Sequence, residues 1–178
     1  MESTKHSLST PVKSGVIIGI VYCILIFIEN KFVYANPLGF SVSKLLFYLL
    51  IMGALFYSGF LYRKESGGYI TFKECLAGML VAILIIEFFY LIFSTAYVKF
   101  IEPAFIDKLK ATWLSYFISH NIPQDKIDEA MKNFNDAGKI TFGTLFRSYG
   151  FSIIIDAIFA IIFAAILKKK KPEFEIQA

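Results

Sequence analysis

The chain has 178 residues, of which 57% are hydrophobic, 17% aromatic and only 18% charged, and its mean hydropathy is +0.63. Twenty Phe and ten Tyr are more than one small water-soluble core can bury beneath a polar coat, so composition points away from a soluble enzyme and toward an integral membrane protein. The net charge of +4 comes from Lys and Arg set between apolar runs and at the chain ends rather than in one patch, which is a topology signal and not a nucleic-acid surface.

A hydrocarbon layer of about 30 Å needs roughly 20 apolar residues in helical form, and four runs meet that length. The first covers residues 14–35, although its uninterrupted apolar part stops at Glu29-Asn30-Lys31, where long side chains are expected to snorkel to the interface. The second covers 40–62, with Lys44 near its start and Tyr57 and Tyr62 near its end as interfacial anchors. The third, 72–101, has a marked start, because Thr71 and Glu74 stand at capping-box spacing. The fourth covers 140–167, with Thr141 as its expected cap and the basic tail 168–178 as its stop. The whole of 1–178 thus reads as a single all-α membrane domain.

Residues 102–139 form the only sizeable polar segment and carry six acids. Phe105, Leu109, Trp113 and Phe117 recur at four-residue intervals after Pro103, and Ile127, Met131 and Phe134 share a face after Pro123, so two amphipathic helices are expected. The expected arrangement is a helical hairpin whose apolar faces meet each other or rest on the bilayer, with Trp113 and Tyr116 at headgroup level. Trp113, Tyr116 and Phe117 are its candidate interface residues.

Four spans place both termini on one side. Nine Lys and Arg flank that side, four of them in the tail at 168–171, whereas the opposite side has Lys31, Lys44 and seven more diluted over a long acidic segment. The termini are therefore expected in the cytoplasm and the hairpin outside, in a cytoplasmic (inner) membrane. Val33-Tyr34-Ala35 also offers small residues at cleavage offsets, which leaves a removable leader as the alternative for the first run.

Chemistry-bearing patterns are sparse. His6 and His120 stand alone, no phosphate-binding or nucleophile-elbow pattern occurs, and Cys23 and Cys75 lack metal or redox spacing, so no cofactor and no metal are expected. The anomalies are Glu87 and Asp156, each inside an apolar run where an acid costs roughly 2.5–3.5 kcal/mol to insert. Glu87 follows Lys73 and Asp156 precedes Lys168 by similar lengths, about 21 and 18 Å of helix, so the two acids are expected at one depth, where neighbours of that kind titrate as a unit. They read either as a proton or ion relay or as hydrogen-bonded glue between helices, with tyrosines such as Tyr90 as partners. Arg147, about 13 Å from Asp156 along its own helix, is a competing ion partner expected to meet Glu29 or the hairpin acids.

Gly15 and Gly19, Gly78 and Ala82, and Ala160 and Ala164 place small residues at four-residue spacing, as close helix contacts require. Residues 68–72 and 138–142 repeat a Gly-x-Ile-Thr-Phe pattern before the third and fourth spans, which shared helix-start chemistry explains more simply than duplication.

The order of these features resembles the small four-span bacterial proteins of the domain of unknown function family 4199. The resemblance is carried by the Gly15/Gly19 span, the Ile70-Thr71-Phe72 entry, the 100–105 exit (Phe-Ile-Glu-Pro-Ala-Phe), the acidic insert and the Leu167 to Pro172 end. It implies a four-helix inner-membrane protein and brings no activity or catalytic residue. The resulting expectation is an integral membrane four-helix bundle with an extracytoplasmic helical hairpin. It would act without enzymatic chemistry, through helix packing, self-association or binding of another membrane protein. The alternative is a small proton- or ion-coupled transporter working through Glu87 and Asp156.

Overall fold

The computed structural model describes residues 9–137 and 142–171. Six α-helices follow in order: α1 (Ser9–Ile28), α2 (Pro37–Glu65), α3 (Phe72–Ala96), α4 (Phe105–Ser119), α5 (Gln124–Ala137) and α6 (Phe142–Leu167). Two π-helical turns, Glu29–Val33 and Tyr97–Ile101, extend α1 and α3. Four helices are long and apolar enough to cross a membrane: Ser9–Val33, Pro37–Glu65, Phe72–Ile101 and Phe146–Leu167. The fold is all-α and the chain is a multi-pass membrane protein.

Local chemistry sets the helix ends. Asn36 caps α2 by accepting from the Gly39 N–H at 3.1 Å, and Pro37 takes the first helical position, where its missing N–H has no partner to lose. This starts the second helix earlier than residue 40. The first helix likewise begins before residue 14, at Ser9: Pro11 is tolerated in an opening turn, and buried Thr10 donates its hydroxyl to Glu65 of α2. Thr71 and Glu74 complete their capping box at α3, each satisfying a backbone N–H of the other. The α2–α3 turn passes through Gly67 and Gly68 at φ of +76° and +84°, a region that side chains disfavour. Helix α4 begins at Phe105, after Pro103 rather than on it. Thr141 and the repeated 138–141 segment lie outside the described residues.

Helix α3 is the centre of the bundle, packed by α1, α2 and α6. Hydrocarbon is as apolar as Leu, so burial from water does not drive this packing; close approach and dispersion do. Gly15 lies so near α3 that a Cβ there would stand 3.0 Å from the Ala82 carbonyl oxygen, and one on Gly19 would meet the Phe89 ring at 3.1 Å. Gly78 admits the Tyr62 ring and Pro11 together. Ala160 and Ala164 are fully buried and join Leu55, Ile83 and Cys75 in the core of the half that ends at the basic tail. There the backbones of Ile70 and Lys169 exchange two hydrogen bonds of 2.9 Å. The outer surfaces of α2 and α6 carry exposed Leu45, Leu49, Phe151 and Ile158, an apolar coat suited to lipid.

Helices α4 and α5 form a hairpin. Trp113 packs against Phe134 at 6.3 Å between ring centroids, and the Lys110 ammonium reaches Asn135 Oδ1 at 2.6 Å. The hairpin rests on the bundle through a second cluster, Phe40, Tyr97, Phe105 and Leu109. The π turn at the end of α3 buries Tyr97, whose hydroxyl donates to Glu102 Oε2 at 2.9 Å, while Lys108 donates to Glu102 Oε1 at 2.6 Å. The hydrogen bond from Lys108, then that from Tyr97, holds the Glu102 carboxyl below its ordinary range.

Replacing Gly78 by Ala drives a methyl into the Tyr62 ring and should lower thermal stability in detergent by about 1–3 kcal/mol. Gly53→Ala, which meets nothing within 4 Å, should be neutral or slightly stabilising. Because the Glu102 value is depressed in the folded state, its contribution is present above the ordinary carboxylate range and is lost as pH falls through the folded value. The stability difference between the parent chain and Glu102→Gln, measured against pH, should be largest near neutrality and close on acidification.

Candidate functional site

The inward stripe of α6 runs Tyr149, Ser152, Asp156, Ala160, Ala164, at three- and four-residue steps. Toward the tail it is methyl-sized and closes tightly; toward the hairpin it carries hydroxyls and a carboxyl. Glu87 of α3 meets this stripe at the boundary, where its carboxyl approaches Asp156 and Ser152. Both acids are inside the protein, Glu87 at 6% and Asp156 at 3% exposure. Two carboxyl groups face to face in an apolar interior hold together through a proton or a cation between them.

The partners of the pair are unequal. Tyr48 of α2 donates its hydroxyl to Asp156 Oδ1 at 2.8 Å, its ring set edge-on to Phe159 of α6. Glu87 Oε2, by contrast, is buried without a hydrogen-bond partner among the described residues. Tyr90 stacks on Tyr22 at 5.4 Å. The Tyr149 hydroxyl donates to the Leu84 carbonyl at 3.2 Å, fixing α6 to α3 one turn before Glu87.

Tyr48 has a second surface. It lines a chamber of about 570 Å³ between α1, α2 and α3, whose wall also includes Tyr22, Tyr90, Ser94, Glu29 and Lys44. Phe105, Leu109 and Phe134 of the hairpin close over it. Buried Glu29 and Asn30 therefore lie in the hairpin half of the bundle, the close packing of Ala160 and Ala164 lies in the tail half, and the carboxyl pair lies between, joined to the chamber by Tyr48.

Glu29 does not snorkel outward. The π turn after Ile28 carries an extra residue per turn and rotates the end of α1, so Glu29 and Asn30 point into the bundle at 3% and 8% exposure. The Ser43 hydroxyl donates to Glu29 Oε1 at 2.7 Å, so the partner of Glu29 is Ser43 rather than Arg147, which is exposed on α6. Lys44 lies with its ammonium 4.4 Å from the Phe40 ring centroid.

The remaining sequence candidates fall elsewhere. Trp113, Tyr116 and Phe117 are half-buried and pack mutually on α4, where Trp113 also holds α5. His120 ends α4, its Nδ1 2.8 Å from the Tyr116 carbonyl, and Asn121 beyond it takes a left-handed φ of +53°. Cys23 and Cys75 are free thiols on separate helices. Among the described residues no three His, Cys, Asp or Glu side chains cluster as metal ligands. Sequence reasoning missed Tyr48 and Ser43, whose only advance signal was a hydroxyl in the otherwise apolar run of α2.

No curated protein and no solved structure matches the chain. A family model described as "Protein of unknown function (DUF4199)" matches residues 13–169, from the opening of α1 through the bundle and hairpin into the basic tail. With nearly all of the architecture inside that match, the chain belongs to the DUF4199 family of proteins of unknown function.

Proposed function

We propose that this protein is a small, non-enzymatic, proton- or ion-coupled membrane transporter of the cytoplasmic membrane, with Glu87 and Asp156 as its exchangeable site and the chamber as the way in. The observation that carries this reading is the mismatch at the pair. Asp156 is satisfied by Tyr48, while Glu87, whose carboxyl approaches Asp156 and Ser152, keeps Oε2 buried with no hydrogen-bond partner among the described residues. Carboxyls that serve only as glue between helices are expected to be fully paired, since each unpaired polar atom costs about 1–3 kcal/mol. A binding site for a proton, an ion or a water instead leaves one position open.

Charge supports the orientation. The nine Lys and Arg beside the termini and the α2–α3 turn favour cytoplasmic termini and an outside hairpin. The chamber then opens the pair toward the outside, and the packed Ala160/Ala164 half seals it from the cytoplasm. Binding of a partner or a second copy through the hairpin has weaker support, because Trp113 and Phe134 pack on one another.

In liposomes carrying a pH-sensitive dye, the parent chain should give a gradient-dependent signal that Glu87→Gln and Asp156→Asn abolish while helical content and melting persist. Tyr48→Phe, which removes one hydrogen bond to a carboxyl, should slow the signal about 10- to 100-fold. If the carboxyl variants keep the signal and lose only thermal stability, the pair is glue and the proposal fails. A single Cys introduced at Gln124 should react with a membrane-impermeant maleimide on intact cells, whereas one at Lys170 should react only after lysis. The reverse pattern would invert the orientation.

A further inference from the structure

Glu29 and Lys44 are opposite charges on facing helices of one chamber, and neither is used by the carboxyl pair. Glu29 is four residues before the end of the first span and Lys44 seven after the start of the second. At 1.5 Å per residue both lie within about 6–10 Å of the hairpin end of the bundle, the depth of lipid headgroups. Each is pre-positioned. Ser43 holds one oxygen of the Glu29 carboxyl, and the Phe40 ring holds the Lys44 ammonium. Among the described residues the two do not form a direct ion pair, although each lies in the other's field. A fixed acid and a fixed base, both on the wall of one cavity, match a ligand that carries both a cation and an anion. The rest of the wall is apolar, with Phe47, Leu91 and Val98 among it, and the volume of about 570 Å³ is in the range of a headgroup with part of a chain.

We propose that the chamber binds a zwitterionic amphiphile, an aminophospholipid whose ammonium pairs with Glu29, whose phosphate pairs with Lys44 and whose chain enters the apolar part under the hairpin. Charge complementarity selects this class over a simple organic cation, which Lys44 would repel, and over an anionic lipid, which Glu29 would repel. The assignment rests on the reading of the chamber as the way in to Glu87 and Asp156, and it names the substrate class of that site.

The test uses the full chain in detergent, titrated with dihexanoyl phosphatidylethanolamine and, separately, with dihexanoyl phosphatidylglycerol and with leucine, and read by native mass spectrometry. The parent chain should bind the ethanolamine lipid at least tenfold more tightly than the glycerol lipid. Glu29→Gln should erase that preference, Glu29→Asp should keep it, and Lys44→Met should weaken both lipids, with melting curves reading the fold separately. Equal affinity for the two lipids, a preference that survives Glu29→Gln, or one lost equally in Glu29→Asp would each overturn the proposal. Tighter, Glu29-dependent binding of leucine would overturn the lipid source in favour of a soluble zwitterion. The liposome signal of the Glu87 and Asp156 variants is read without the short-chain lipids. A flat lipid preference beside a parent signal that the Glu87 and Asp156 variants abolish therefore removes the ligand assignment alone, and an intact preference beside carboxyl variants that keep the parent signal removes the transport reading alone.

Discussion

A bilayer interior offers no water to a stranded polar atom, and the distribution of polar side chains in this bundle follows from that constraint. The tail half is sealed by backbone-close contacts. Leu55, Ile83, Ala160 and Ala164 are buried there at 0–1% exposure, and among the described residues the buried polar ones of this half are Thr10, bonded to Glu65, and Ser58. The hairpin half contains Glu29, Asn30, Tyr22 and Tyr90 around a cavity that the bundle does not fill. The two halves are built on the same four helices, so the change of character must be written into single stripes, as it is in α6 where Ser152 and Asp156 give way to Ala160 and Ala164.

Small residues do different work on different helices. On α1 they let one helix backbone approach another: Gly15 sits against Ala82, and Cys23 two turns later donates its thiol to the Phe89 carbonyl at 3.6 Å. On α3, Gly78 makes room for side chains, the Tyr62 ring and Pro11. The tight contacts fix α3 at the centre, and a rigid centre is what allows Glu87 to be held against Asp156 at a set depth. Were α3 free to rotate by one residue, about 100°, Glu87 would face another helix or lipid.

Much of this was legible in the sequence. Run length against bilayer thickness gave the four spans, Thr71 and Glu74 gave the start of α3, and counting residues from Lys73 and Lys168 put Glu87 and Asp156 at one level. What was not legible depends on rotation about helix axes. Periodicity assumes 3.6 residues per turn, and the π turns at Glu29–Val33 and Tyr97–Ile101 break that assumption. The widened turn faces Glu29 toward Ser43 instead of the interface and sends Tyr97 into the hairpin cluster. Tyr48 was hidden for a related reason. A tyrosine in a run of Leu and Phe gives no sign of which neighbour it will face, and its role exists only once α2 is laid beside α6.

Both π turns occur at the same end of the bundle, where Glu29 and Asn30 of the first and Val98 of the second line the chamber, and that coincidence explains the hairpin's position. The first turn supplies buried Glu29 and Asn30; the second places Tyr97 and Glu102 so that Lys108 of α4 is tied back to the end of α3. A hairpin attached only by its two chain connections could swing over the membrane surface. Held through Glu102 and seated on Phe40 by Phe105 and Leu109, it covers the cavity that holds Glu29 and Lys44 with an apolar face. An acid that must stay out of lipid and a helix pair with an apolar underside thus satisfy each other, and the space between them is the chamber lined by Tyr48, whose hydroxyl is bonded to Asp156.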